Sequence, residues 1–334
     1  MSAVDILGQN ILLRSPNWLG DAVMTLPAVQ ALQAAVSPGT EISILTPQKL
    51  ADFWRMVPGL KNVLTAEHNP FRTGADLRPH DFTTVIVLPN SLRTGLEAWL
   101  ARIPRRYGYA GDWRALLFTE SWPKPVSKTG WEHQRWHYLK LMEHLGVPVP
   151  DRPFQPLPKP VAVSSGGKAR LIVCPGAEYG PAKRWPVESF AGTVKLIREK
   201  HDFEVLILGG ARDVAAGAEL NRLLDGGALD KTGKTSLCEF LAQVAHAGLV
   251  LCNDSGAMHA AAAFATPALA VFGSTEPLLT GPIHPSVAVL REHVACSPCF
   301  LRECPIDFRC MKSVTSAQAA EAAEQLLKNH PMTS

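Results

Sequence analysis

The chain has 334 residues, of which 46% are hydrophobic and 19% are charged, so it is long enough for two domains that each bury a core. A formal net charge of +3 is too small for a dedicated nucleic-acid binder, but it suits a protein that handles phosphates or works near an anionic membrane. No apolar run approaches the roughly 20 residues that span a bilayer, and the N-terminus has no signal-peptide pattern, so we expect a cytoplasmic protein.

In the first half of the chain, short apolar runs alternate with longer amphipathic stretches, which is typical of an α/β domain. The pattern predicts strands at 11–13, 41–45 and 84–88, and helices at 22–36 and 132–145. The run at 84–88 is continuously apolar, as strands of parallel sheets are.

A stretch rich in proline, serine and glycine separates the two halves. It runs from 148 to 167 and contains six prolines, which remove backbone donors and stiffen the chain. We therefore predict an N-terminal domain at 1–150, a linker at 151–168 and a C-terminal domain at 169–330.

The alternation restarts after the linker, with strands at 171–174, 205–208, 249–252 and 268–272 and helices at 187–200, 214–224, 237–247, 256–265 and 316–327. Ligands in open parallel sheets bind outside the carboxyl ends of the strands. The predicted fold class is thus α/β, with two Rossmann-like domains whose parallel sheets face each other across a cleft.

The first strand-to-helix junction reads Arg14-Ser-Pro-Asn-Trp-Leu-Gly-Asp21. Two interpretations of Asp21 stay open: it caps the helix by accepting hydrogen bonds from free amides, or it is a general base in the cleft. A helix N-terminus favours the carboxylate and so weakens the base, but a base needs only to be ionised and within reach of the proton.

The second junction reads Pro175-Gly-Ala-Glu-Tyr-Gly-Pro-Ala-Lys-Arg-Trp-Pro186. Its glycines let backbone amides approach an anion, and Lys183 and Arg184 add positive charge at the same place. The junction therefore predicts a diphosphate site, and the alternative is an ordinary solvated basic loop.

The third junction, Asn253-Asp-Ser-Gly-Ala-Met-His259, leads from an apolar strand into a helix of small residues. The amides of Ser255 and Gly256 would face an anion at the helix N-terminus, and Asp254 would hold sugar hydroxyls. The alternative is that Asp254 is only an N-cap and His259 only a buried, hydrogen-bonded histidine.

Two other cofactor classes are disfavoured. Thr232-Gly-Lys-Thr-Ser236 resembles the end of a P-loop, but Ala228 stands where that motif requires its first glycine. No G-x-G-x-x-G fingerprint opens either half, which argues against an NAD enzyme.

Taken together, the three junctions resemble the heptosyltransferases of glycosyltransferase family 9, especially the lipopolysaccharide heptosyltransferase II type, over nearly the whole chain. Asn17-Trp-Leu-Gly-Asp21 is similar to the N-terminal signature of that family, 175–186 to its donor-phosphate loop and 253–259 to the loop that holds the donor. The resemblance implies the GT-B fold and an inverting, metal-independent transfer of heptose from ADP-L-glycero-D-manno-heptose to an inner-core heptose on lipid A.

The resemblance also implies residue roles. Asp21 would be the general base, and Lys183 would neutralise the departing diphosphate. The donor-binding residues would be Gly176, Ala177, Lys183, Arg184, Asp254, Ser255, Gly256 and His259, and the acceptor-binding residues Asn17, Trp18 and Arg93. The acceptor would be met at the inner membrane surface, where the protein would be peripheral, and no nucleic acid is expected as a partner.

Arginines of the first half suit the phosphates and carboxylates of such an acceptor, since arginine recognises both in bidentate fashion. Arg93, which follows the strand at 84–88, is the strongest candidate among Arg72, Arg78, Arg93, Arg102, Arg105 and Arg106. For any one of the others, plain surface charge is the more common explanation.

Four cysteines, Cys296, Cys299, Cys304 and Cys310, follow a C-x₂-C-x₄-C-x₅-C pattern. They predict either a structural zinc site or a loop of reduced thiols, because structural disulfides are rare in a reducing cytosol. No cofactor is expected to be needed for catalysis.

Two alternatives keep parts of this interpretation. A non-hydrolysing nucleotide-sugar epimerase would share the two Rossmann-like domains but would act without an acceptor. A non-catalytic nucleotide- or metal-binding module would use the cysteines as an anchor, and Asp21 would then be dispensable.

Overall fold

The computed structural model describes residues 7–111, 113–126, 130–149, 154–161 and 167–330. The chain divides into two compact units, Met1–Gln155 and Pro156–Ser334. Of the predicted linker at 151–168, residues 151–153 and 162–166 lie outside the described part of the chain.

The first unit contains a six-stranded sheet in the order β3-β2-β1-β4-β5-β6, in which every neighbouring pair is parallel. Its strands are β1 (Asn10–Arg14), β2 (Glu41–Pro47), β3 (Val63–Ala66), β4 (Thr84–Val87), β5 (Arg105–Tyr109) and β6 (Glu120–Trp122). Its helices are α1 (Leu19–Ala35), α2 (Ala51–Arg55), α3 (Pro70–Leu77), α4 (Leu92–Leu100) and α5 (Arg135–His144).

The second unit repeats this arrangement. Its strands are β7 (Arg170–Cys174), β8 (Glu204–Ile207), β9 (Leu229–Asp230), β10 (Leu249–Asn253), β11 (Ala268–Phe272) and β12 (Val287–Arg291). They are parallel and lie in the order β12-β11-β10-β7-β8-β9. Its helices are α6 (Val187–Arg198), α7 (Val214–Leu223), α8 (Leu237–Ala245), α9 (Gly256–Ala263), α10 (Pro277–Thr280), α11 (Arg309–Lys312) and α12 (Ser316–Asn329).

The central strands form because their side chains are apolar on both faces. Ile11, Leu12 and Leu13 of β1 are fully buried, and every residue of β10 and β11 is buried. Strands covered by helices on both sides of a parallel sheet are expected to be continuously hydrophobic. Each unit has its own hydrophobic cluster, formed around Leu12, Val85 and Val87 in the first unit and around Val173, Leu251 and Val271 in the second.

Both sheets have the 3-2-1-4-5-6 order of the Rossmann fold, which confirms the prediction of an α/β protein with two Rossmann-like domains. The order reverses between β1 and β4 in the first sheet and between β7 and β10 in the second. Ligands of such folds bind outside the carboxyl ends of these strands, so the loops after them are where a site is expected. Among the described residues, no helix is both long and apolar enough to cross a membrane.

Candidate functional site

Asp21 lies in the first turn of α1, directly beyond the carboxyl end of β1. Its half-buried carboxylate accepts a hydrogen bond from Gln134 Nε2 over 3.0 Å, and the same nitrogen donates to the Tyr138 hydroxyl over 2.9 Å. Burial, and then the negative charge of Asp21, raise the pKa of Tyr138 above its ordinary value, so the phenol stays protonated.

The interpretation of Asp21 as a helix cap is wrong. The backbone turns into α1 three residues earlier, and Trp18, which has extended backbone angles, occupies the N-cap position without a capping side-chain hydrogen bond. The Asp21 side chain instead accepts a hydrogen bond from Gln134, the residue before α5, and the role of general base is the interpretation still open.

Glu97 of α4 is fully buried and binds two arginines at the switch point of the first sheet. Arg14, the last residue of β1, donates its Nε to one carboxylate oxygen over 2.6 Å, and Arg93 donates its Nε to the other over 3.0 Å. Both oxygens of Glu97 are therefore occupied, and Arg93, whose side chain is 40% exposed, is a fixed cation beside the carboxyl ends of β1 and β4.

Asn17 and Trp18 are exposed in the loop that joins β1 to α1, at the same edge of the sheet as Asp21. Asn17 Oδ1 accepts a hydrogen bond of 3.4 Å from Arg14, and Lys49 Nζ lies 3.9 Å from the centroid of the Trp18 ring. The structure thus places the three predicted acceptor residues, Asn17, Trp18 and Arg93, at the carboxyl ends of the strands of the first sheet.

The other five candidate arginines of the first unit divide between the carboxyl ends and the amino ends of its strands. Arg72 is exposed in the first turn of α3, at the edge of Asp21. Four others lie just after α3 and α4 or at the start of β5: Arg78, Arg102, Arg105 and Arg106. Arg78 and Arg106 donate hydrogen bonds to backbone carbonyls there, and an acceptor contact by any of these four stays a prediction, with plain surface charge as the alternative.

Asn253, the last residue of β10, ties together two loops of the second unit. Its fully buried side chain accepts a hydrogen bond of 2.9 Å from Trp185 N and donates to the carbonyls of Pro175 and Gly176 over 2.8 and 3.2 Å. The phosphate loop, defined as residues 175–186, is therefore held at both ends by the strand that leads into Asp254. The sequence alone gave no sign of this role for Asn253.

Lys183 of the phosphate loop and Asp254 meet in a buried ion pair, with 2.5 Å between Nζ and Oδ2. Their side chains are 12% and 5% exposed, and Thr275 Oγ1 donates a second hydrogen bond to the same carboxylate oxygen over 2.5 Å. A buried charge pair of this kind persists only where geometry and extra hydrogen bonds offset desolvation. Lys183 was expected to contact the diphosphate and Asp254 the sugar hydroxyls, and the structure shows that the two side chains also contact each other.

The N-terminus of α9 is capped by Ser255, whose side chain accepts a hydrogen bond from Ala257 N over 3.4 Å. The alternative in which Asp254 is the N-cap is therefore wrong, because its carboxylate faces Lys183. Gly256 is the first residue of α9, and His259 is buried one turn further along the helix.

A cavity of about 980 Å³ opens at the carboxyl ends of β7 and β8, lined by residues 177–181, Arg184, 210–213 and 301–303. Arg184 and Asp213 approach to 3.7 Å across it. Gly176 has no room for a side chain, since a Cβ there would lie 2.2 Å from the Asp213 carboxyl carbon. Asp213 and its neighbour Arg212 were not predicted; the glycine pair before them is the sequence signal that marks this loop.

The four clustered cysteines lie between β12 and the end of α11, and each is a free thiol. Backbone N–H groups of Ile306, Phe308 and Asp307 lower the pKa of Cys304, whereas burial and then the neighbouring cysteines raise the pKa of Cys310. In the part of the chain that the structure describes, no group of three or more His, Cys, Asp or Glu side chains is arranged to hold a metal ion.

Two Rossmann-like units in one chain, each with a six-stranded parallel sheet, form the architecture of the GT-B class of glycosyltransferases, and a solved structure supports this assignment. The Escherichia coli ADP-heptose LPS heptosyltransferase II superposes with a TM-score of 0.81 at 26% identity, covering 96% of this chain and 99% of the other. The family model described as glycosyltransferase family 9 (heptosyltransferase) matches residues 71–308.

Similar proteins of known name indicate the same family. The lipopolysaccharide heptosyltransferase 2 of Salmonella typhimurium is 30% identical over 312 residues, covering 84% of this chain and 87% of the relative. The protein of the same name from Escherichia coli K12 is 29% identical over 311 residues with the same coverage. This chain belongs to glycosyltransferase family 9, and it is a transferase enzyme. Membership of that family disfavours both the epimerase and the non-catalytic module.

Proposed function

We propose that this chain transfers heptose from ADP-L-glycero-D-manno-heptose to the inner-core heptose of lipopolysaccharide. The observation that carries the proposal is the buried Lys183–Asp254 pair at the switch point of the second sheet, on loops that Asn253 holds together. This is the edge at which Rossmann-like units bind nucleotides, and a cation there can take up the charge of a diphosphate. The names of the relatives supply the sugar and the kind of acceptor.

In the proposed reaction, the Asp21 carboxylate removes the proton from an acceptor hydroxyl. The resulting oxygen attacks the anomeric carbon of the donor as the bond from that carbon to the diphosphate oxygen breaks, so the anomeric centre inverts. ADP leaves with the electron pair, and Lys183 offsets the added negative charge. The chain itself supplies both the base and the cation, so no metal or cofactor takes part in this proposal.

When the donor binds, Lys183 can pair with the Asp254 carboxylate or with the diphosphate. Its Nζ is already held by Asp254, so a bound diphosphate would draw on a lysine whose position is fixed before the substrate arrives. Asp254 would then orient the donor sugar, Gly176, Ala177, Ser255 and Gly256 would face the phosphates with their backbones, and Arg184 and His259 would flank them. Asn17, Trp18 and Arg93 would contact the acceptor.

A donor panel tests the proposal. Purified protein is incubated with ADP-heptose, other ADP-sugars and UDP-sugars in the presence of a heptose-terminated core acceptor, and products are scored by mass. We expect addition of one heptose from ADP-heptose only. Transfer from UDP-sugars alone, or conversion of the donor without acceptor, would overturn the assignment.

The first unit has features that suit a peripheral position at the inner face of the inner membrane. Exposed apolar side chains follow β3, β4 and β5, all at the carboxyl edge of the sheet: Phe71, Leu92, Trp113 and Leu116 are 64%, 50%, 81% and 75% exposed. Arg114 is buried and donates to the Pro89 carbonyl over 2.8 Å, which fixes the turn that projects Trp113 and Leu116 outward. Residues 1–155 also hold 16 Lys and Arg against 13 Asp and Glu, while the rest of the chain is balanced.

The double change Trp113→Ser with Leu116→Ser is expected to weaken binding to anionic vesicles roughly tenfold, because two side chains no longer enter the headgroup region. Binding is measured by co-sedimentation with phosphatidylcholine vesicles containing or lacking phosphatidylglycerol. Trp99→Ser is the matched control, since Trp99 is 49% exposed at the other edge of the sheet. Equal binding of all three proteins would contradict the membrane proposal.

For the cysteine segment, defined as residues 296–310, we propose a structural zinc site that is separate from catalysis; the alternative is a loop of reduced thiols. The proposal rests on the four thiols of this segment, since thiolates are preferred ligands of structural zinc. The spacing is not that of a standard zinc ribbon, and because the described residues hold no ready group of three metal ligands, the thiols would have to rearrange around the ion. Protein purified without chelator is expected to contain about one zinc per chain, and Cys299→Ser with Cys304→Ser to contain none. Metal analysis showing no zinc in the unaltered protein would establish the reduced-thiol alternative.

A further inference from the structure

The cysteine segment packs directly on the phosphate loop. Arg302 accepts a hydrogen bond of 3.0 Å from Ala182 N through its backbone carbonyl and donates its side-chain Nε to the Tyr179 carbonyl over 2.7 Å. The Tyr179 hydroxyl donates to the Phe300 carbonyl over 2.7 Å. Three hydrogen bonds therefore join two stretches of chain that are about 120 residues apart in sequence.

The contact is close enough to require glycine. Gly180 has a φ of 154°, and a Cβ at this position would lie 2.4 Å from the Arg302 carbonyl oxygen. A side chain at position 180 would therefore clash with the Arg302 carbonyl, so glycine at this position of the phosphate loop permits the contact with the cysteine segment.

The Tyr179 ring connects this contact to the lysine of the proposed donor site. Lys183 Nζ lies 4.7 Å from the ring centroid, and the Arg302 guanidinium carbon lies 5.6 Å from it. Both distances fall within the range of attraction between a cation and an aromatic ring. The position of Lys183 is therefore set from two sides, by Asp254 and by Tyr179.

The cysteine segment is itself anchored next to Asp254. Cys299 N and Phe300 N both donate to the Ser274 carbonyl, over 3.1 and 2.8 Å. Thr275, the next residue, is the one that donates to Asp254. One short loop after β11 thus binds Asp254 through Thr275 and the cysteine segment through Ser274.

We propose that Arg302 and Tyr179 are positioning residues, through which the cysteine segment holds Lys183 ready for the donor diphosphate. The inference rests on the proposed function, because it assumes that Lys183 binds the diphosphate. Neither residue needs to touch the donor: Arg302 fixes the Tyr179 carbonyl and ring, and the ring fixes the lysine. Tyr179 lies in the phosphate loop itself, whereas Arg302 lies in the cysteine segment, which contains none of the residues that resemble the family signatures.

A double-mutant cycle tests the inference, with ADP affinity measured by calorimetry. Arg302→Ala is expected to raise the Kd for ADP about three- to tenfold, the scale of one hydrogen bond and one cation–π contact. In the Lys183→Ala background the same change is expected to raise Kd less than about twofold, because residues that act through one another are not additive. Arg302→Lys is expected to restore part of the affinity, since its ammonium can still donate to the Tyr179 carbonyl.

Arg309→Ala is the matched control. Arg309 lies in the same segment, is 54% exposed and pairs with Asp307, and none of its hydrogen bonds reaches the phosphate loop. It is expected to leave the Kd unchanged. Tyr179→Phe, which removes only the hydroxyl bond to Phe300, provides a second variant with a smaller expected effect in the same direction.

Two outcomes overturn the inference: an unchanged Kd in Arg302→Ala, or an equal rise in the Lys183 and Lys183→Ala backgrounds, which would make Arg302 an independent donor contact. Titration with inorganic pyrophosphate separates this from failure of the proposed function. If the unaltered protein binds pyrophosphate but not ADP, the donor assignment fails, and the double-mutant cycle is then measured with the Kd for pyrophosphate. If it binds neither, both proposals fall.

Discussion

Asp21→Asn is expected to lower kcat by roughly 10²- to 10⁴-fold, the usual contribution of a general base. The amide oxygen of asparagine can still accept the hydrogen bond from Gln134 that Asp21 accepts over 3.0 Å, so this contact is kept. What is lost is the capacity to take a proton from the acceptor hydroxyl. The measurements are steady-state transfer of heptose and the Kd for ADP, and only the first is expected to change.

Asp52→Asn is the control for this prediction. Asp52 also lies in the first turn of a helix of the same unit, but it is paired with Arg55 at an exposed position. It should leave turnover within about twofold of the unaltered enzyme, since exposed ion pairs contribute little. Turnover of Asp21→Asn within about threefold of the unaltered enzyme would remove Asp21 from the role of base.

Lys183→Ala is expected to lower kcat by about 10²- to 10³-fold, because the charge that develops on the departing diphosphate is then left without its cation. The change also removes the cation that pairs with the buried Asp254 carboxylate, which keeps its hydrogen bond from Thr275. Loss of one partner from a buried pair is destabilising, so thermal unfolding must be measured beside activity. Lys195→Ala, at an exposed lysine of α6 with a weak partner, is the matched control.

The double change Lys183→Ala with Asp254→Asn distinguishes the two effects of this lysine. If Lys183 served only to neutralise Asp254, the double variant would regain stability and affinity for ADP together, since the unpaired charge is gone. We expect stability to return while the Kd for ADP stays raised, because the diphosphate still lacks a cation; ADP is the ligand of choice because it lacks the sugar that Asp254 is proposed to orient. Recovery of ADP affinity would show that Lys183 has a structural role alone.

The central strands and the three strand-to-helix junctions could be predicted because their signals are local. β4, β10 and β11 are short apolar runs, which parallel sheets require of strands covered on both faces. The outermost strands of the two sheets could not be predicted in this way. β3 is only half-buried throughout, β6 has three residues and β9 has two, so neither burial nor length distinguishes them from loops.

Other parts of the site depend on contacts between distant residues. Arg93 and Glu97 are four residues apart in α4, which in sequence indicates an ordinary surface ion pair. The burial of the Glu97 carboxylate becomes visible only in the structure, where Arg14 of β1 binds it. The contact between Arg302 and the phosphate loop is of the same kind, since no local pattern marks an arginine whose backbone faces a glycine 122 positions earlier.

The two separate hydrophobic clusters affect how the stability of this chain has to be described. Each unit has a complete sheet and its own core, which is what a cooperative folding unit requires. We expect two unfolding transitions on heating, in which case one midpoint temperature or one free energy of unfolding does not characterise the chain. A nucleotide bound at the phosphate loop stabilises the folded state of the second unit by mass action. The displacement of one transition along the temperature axis would then identify the unit to which a ligand binds.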